Sequence, residues 1–146
     1  MSEYVKSINL KHIVVPQKWL YELPKRFSSS SKRSYLLIAE KIDICSKKEN
    51  KANFFKIDKE VLNELCIVLY KFRGLDSILD NHTFTYTNKI AFIDLDKWEE
   101  DRPLFLRKIR FVLSPEMLEY ARQIFLELQR KEREASGGTV SSVVSF

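Results

Sequence analysis

The stretch from Asp58 to Ile93 constrains this chain most, because three consecutive local signals dictate one helix followed by one hairpin. Apolar residues at Val61, Leu62, Leu65, Cys66, Leu69 and Tyr70 recur at spacings of three and four, which predicts a helix over residues 58–72 with one face inward. Asp58 suits its N-cap and Gly74 its stop. Phe84 and Tyr86 then alternate with Thr83, Thr85 and Thr87. Asn88-Lys89 supplies a tight turn, and Ile90 to Ile93 returns, so a hairpin is expected.

Signals of the same kind organise the rest. Residues 8–15 end in Ile13-Val14-Val15 before Pro16 and predict a strand stopped by proline, while residues 17–23 suit either a helical turn or a second strand. Four serines at 28–31 among Lys25, Arg26, Lys32 and Arg33 predict a polar loop. Tyr35-Leu36-Leu37-Ile38-Ala39 reads as a buried strand running into an extended connector, and residues 46–53, charged and small, as loop or a frayed turn. Asp101 and Pro103 suit a helix start, with residues 104–113 apolar enough for burial. Ser114-Pro115-Glu116 opens a final helix with Leu118, Ala121, Ile124, Phe125 and Leu128 inward; it turns charged after Gln129 and ends at Ser136-Gly137-Gly138.

Composition narrows the class. A chain of 146 residues with 45% hydrophobic and 12% aromatic content has room for one domain with a real core. Its 25 basic residues are interspersed with 20 acids, leaving +5 without a one-signed block, so nucleic acid is an unlikely partner. Cys45 and Cys66 have neither C-x-x-C spacing nor neighbouring histidines; reduced thiols are expected, Cys66 inside the helix. His12 and His82 stand alone and read as surface residues rather than ligands. No apolar run reaches the roughly 18 residues that span a bilayer, and a cytosolic location is expected, including a host cytosol reached by delivery.

The chemistry is concentrated around the hairpin. Asp76 is followed five residues later by Asn81, and Asp94 comes thirteen residues after Asn81, where the returning strand ends. An acid, an amide and a second acid can converge on a metal-bound phosphate, since hard oxygen ligands suit a hard cation. This spacing resembles the catalytic and metal-binding segment of the protein-kinase-like fold, shared by kinases and aminoglycoside phosphotransferases, in which D-x-x-x-x-N precedes a hairpin and then the aspartate of D-F-G. The resemblance covers roughly residues 35–130.

That resemblance implies an α+β fold, mainly helical and C-lobe-like, with a catalytic-loop hairpin and a short N-terminal strand region. It assigns Asp76 as the residue accepting the attacking hydroxyl's proton, and Asn81 and Asp94 as magnesium ligands. Glu40, Lys41 and Ile42 become the connector that holds the adenine of ATP through its backbone. The domain plan it implies is an N-terminal strand and basic Ser-rich loop at 1–34, the C-lobe-like domain at 35–135, and a tail at 136–146. No glycine precedes Gly74 and no lysine strand of the V-A-I-K type is present, so the glycine loop and phosphate-binding lysine of an N-lobe are missing. The expectation is a truncated or degenerate kinase-like domain, inert or weak alone, whose N-lobe is supplied, if at all, by a protein partner or second chain. The alternative is a non-catalytic protein interaction module.

Overall fold

The computed structural model describes residues 1–24, 35–72, 81–93 and 109–137. Its class is α+β. Among the described residues the order is α1 (Ser2–Ser7), β1 (Ile13–Val14), β2 (Lys18–Glu22), β3 (Tyr35–Ala39), α2 (Lys47–Phe55), α3 (Lys59–Lys71), β4 (His82–Phe84), β5 (Ile90–Phe92) and α4 (Pro115–Ala135).

The core is built on α3 and the β4–β5 hairpin. The inward stripe of α3 is buried as its periodicity predicts: Val61, Leu62, Leu65, Cys66, Val68 and Leu69 are all inside. Asp58 is its N-cap residue by position but makes no side-chain cap bond. Both hairpin strands are buried along their whole length, and the turn is closed by Asn88 in the left-handed region at φ 57. Asparagine tolerates that conformation better than most side chains. The Thr85 hydroxyl accepts the N–H groups of Thr87 and Lys89 and secures the turn. β1 adds parallel to β5, with Ile13 opposite Ile90, giving a three-stranded sheet of order β1-β5-β4.

The helix α4 starts as expected, Ser114 Oγ accepting the Met117 N–H and Pro115 in the first turn. Its face of Met117, Ala121, Ile124 and Phe125 packs on α3. Lys59 pairs with Glu116 at 3.1 Å near both N-termini, and the Tyr70 hydroxyl meets the Glu132 carboxylate near both C-termini. The two helices therefore run in the same direction. The charged continuation after Gln129 stays helical to Ala135 and is exposed from Arg130 onward. Glu64 of α3 ties this pair to the sheet: its carboxylate accepts the backbone N–H groups of Lys11 and His12 and contacts the His12 ring nitrogen at 3.1 Å.

Some local expectations are corrected and one open alternative is settled. Residues 46–53 are not loop: α2 forms there because Ser46 and Glu49 make a reciprocal capping box and because Asn50 and Phe54 point into the core. Residues 2–7 form α1, which buries Val5, and the strand before Pro16 shortens to Ile13–Val14. The segment 18–22 is a strand, one of the two alternatives left open for it. The strand Tyr35–Ala39 is present but exposed along its length, paired with β2 in an antiparallel ribbon outside the sheet. Of the apolar segment 104–113, Ile109, Val112 and Leu113 are buried but Phe111 is exposed; the helix start at Asp101 and Pro103 falls outside the described residues. Among the described residues no helix is long and apolar enough to cross a membrane.

Candidate functional site

Of the expected constellation, Asn81 lies at the open end of the buried hairpin. At the open end the Ile93 N–H donates to the Asn81 carbonyl at 2.9 Å, so Asn81 and Ile93 close the ladder together. Asn81 is half-buried there. Asp76 and Asp94 lie outside the described residues. Among those described, no three His, Cys, Asp or Glu side chains gather as a metal set.

Just beyond the expected connector the chain reaches the turn end of the hairpin. Ile44 bridges Thr85 antiparallel and the Cys45 N–H donates to the Phe84 carbonyl at 2.8 Å, so this segment runs beside β4. Glu40 is held at the base of the ribbon: its N–H donates to the Gln17 carbonyl, and its carboxylate accepts the Gln17 N–H. Lys41 reaches Asp43 at 3.4 Å in full exposure. Ile42 is half-buried, and neither of its main-chain groups is hydrogen-bonded among the described residues. Glu40 also lines a cavity of about 360 Å³ together with Gln17, Val15, Val14, Val5 and Lys6.

Between the two ends the strand is sealed. The outward main-chain groups of β4 are met by the Asn50 side chain, whose Oδ1 accepts the Phe84 N–H at 2.8 Å and whose amide donates to the His82 carbonyl at 3.3 Å. His82 is fully buried, not at the surface, with its ring edge-on to Phe92 at 4.4 Å; His12 is partly buried against Glu64. Both thiols are free and buried. Burial pushes the Cys66 thiol far above its ordinary range; burial, then the Glu49 charge, raise that of Cys45 against a hydrogen bond from Asn53. Neither is an activated nucleophile.

A second site was not anticipated from the sequence. Lys48, Lys51 and Lys56 rim a groove of about 340 Å³ whose floor is Phe55, Val112 and Phe111. The Arg110 guanidinium lies 4.6 Å from the Phe111 ring centre. The spacing Lys48, Lys51, Ala52, Phe55 is that of one helix face and becomes a signal only once residues 47–55 are taken as helical.

No protein-family model, curated protein or solved structure matches this chain, so its assignment to a function rests on the geometry above.

Proposed function

We propose that this chain is a reduced relative of the kinase-like phosphotransferases, able to hold a magnesium nucleotide weakly and without appreciable turnover by itself. The observation that carries the reading is the hydrogen bond between Ile93 and Asn81, since it brings the amide expected to ligate magnesium to the same hairpin end as the residue preceding Asp94. The order of elements supports it too: a connector, then α3, then a hairpin bounded by Asn81 and Asp94 is the order the resemblance requires.

In this reading Asn81 and Asp94 hold the cation and Asp76 accepts a hydroxyl proton. The main-chain groups of Ile42, without a hydrogen bond among the described residues, face the base. Bound magnesium supplies neutralisation of phosphate charge. Without a glycine loop or phosphate-binding lysine the nucleotide is gripped from one side, which limits both affinity and positioning. Isothermal titration with ATP and magnesium is expected to show weak, metal-dependent binding that the joint replacement Asp76→Ala, Asn81→Ala and Asp94→Ala abolishes. No binding by the intact chain, or efficient turnover by it alone, would contradict the proposal.

The groove on α2 favours a second reading, a non-catalytic interaction module. Three ammonium groups around two exposed phenylalanines complement an acidic segment that offers one apolar side chain. Under that reading the triple replacement leaves the chain's behaviour unchanged.

A further inference from the structure

We infer that the groove on α2 receives an extended acidic peptide in which one aromatic side chain has an acid two residues to either side, a pattern that rests on the interaction-module reading of that groove. Lys48, Lys51 and Lys56 rim it, and no acid among the described residues lines it. None of the three lysines is paired with a carboxylate among the described residues. The one acid of α2, Glu49, is engaged by the Ser46 cap. The uncompensated positive charge selects an anionic occupant.

The floor selects what that occupant inserts. Ala52 is exposed, and its methyl leaves room beside the rings of Phe55 and Phe111, themselves 57% and 71% exposed. Ala52, Phe55, Phe111 and Val112 offer no polar side-chain atom, so the entering group must have no hydrogen bonds to lose. An aromatic side chain suits the place better than an aliphatic one. It packs edge-on or offset against the two phenylalanines and gives the lysine ammonium groups a ring face to approach. A nucleic-acid base would bring polar edges that this floor does not answer.

The helix sets the spacing of the acids. Ala52 lies midway between Lys48 and Lys56, four residues from each. The Lys56 N–H donates to the Ala52 carbonyl at 3.3 Å, so Lys56 completes the turn after Ala52 although α2 ends at Phe55. The two lysines therefore stand about 6 Å along the axis to either side of Ala52. In an extended chain, residues two apart share a face and lie about 6.6 Å apart. A ring seated over Ala52 thus carries the positions two before and two after it to Lys48 and Lys56, and acids there are met in either chain direction. A helical partner lays down several apolar anchors a turn apart, which would fall on the ammonium groups instead.

Titration of the isotope-labelled full chain with the capped peptide Glu-Ser-Trp-Ser-Glu, followed by amide NMR shifts, tests this. Saturable shifts confined to residues 48–56 and 110–112 are expected. Lys48→Glu, and Ala52→Leu, which fills the room for the ring, should each weaken binding by about tenfold or more while circular dichroism stays that of the wild type, both positions being exposed. The isomeric peptide Glu-Glu-Trp-Ser-Ser should bind several-fold less tightly. Equal binding of the two peptides would overturn the inferred pattern and leave the groove an interaction surface. No shifts at the groove with either peptide would overturn both, as would wild-type affinity in both variants. Oligothymidine shifting the same amides at lower concentration would overturn the choice of a peptide.

Discussion

Asn50 shows how one polar side chain can substitute for a missing strand. The edge of β4 that faces away from β5 has to place a carbonyl and an N–H inside the protein, and Asn50, itself 1% exposed, answers both. Its value lies in what its loss would strand: a buried main-chain group without a partner costs about 1–3 kcal/mol. Asn50→Leu fills similar volume but offers neither donor nor acceptor. It is expected to destabilise by about 3 kcal/mol, read as a fall in the urea midpoint at unchanged slope. A smaller loss, below about 1 kcal/mol, would mean that water or a shifted side chain takes over those two groups.

At the scale of elements, α2 is where sequence reading failed, and the reason is physical. α3, α4 and the hairpin announce themselves through caps, apolar stripes and a turn residue, all local signals. In Lys47–Phe55 the inward face consists of one amide and one ring, Asn50 and Phe54, so no stripe is visible; the partners that make Asn50 an inward residue are more than thirty positions away. Likewise Tyr35–Ala39 was legible as a strand but not as an exposed one, because an apolar run has the same composition whether it packs in a core or stays at the surface. Of the candidate site, Asn81 and residues 40–42 are among the described residues: Asn81 closes the hairpin ladder with Ile93, and Glu40 pairs with Gln17 beyond β1. The capping box carries its own prediction. Hydrogen bonds from the Ser46 hydroxyl and backbone hold the Glu49 carboxyl below its ordinary value of 4.5, so its contribution is present above that value and lost as pH falls through the lowered one. Ser46→Ala should destabilise by about 1 kcal/mol at neutral pH. The gap between the urea midpoints of variant and wild type should narrow on acidification below about 4.5, and a gap that stays constant into acid would show that the hydroxyl caps α2 without help from Glu49.

For the whole molecule, the arrangement divides into a part that supplies its own cohesion and a part that does not. α3, α4 and the three-stranded sheet bury one another, with Leu62, Leu65, Phe84, Ile90 and Phe92 inaccessible to solvent. The ribbon joins this body through residues 15–17 and 40–45 and contributes no fully buried side chain, so its opening need not await global unfolding. Native-state hydrogen exchange should therefore show two tiers: amides of Leu65 and Leu69 open only with the global transition, whereas Trp19 and Tyr21 exchange through a much smaller opening. Equal protection of Trp19 and Leu65 would show instead that the ribbon opens only with the core, and the division into two parts would fail.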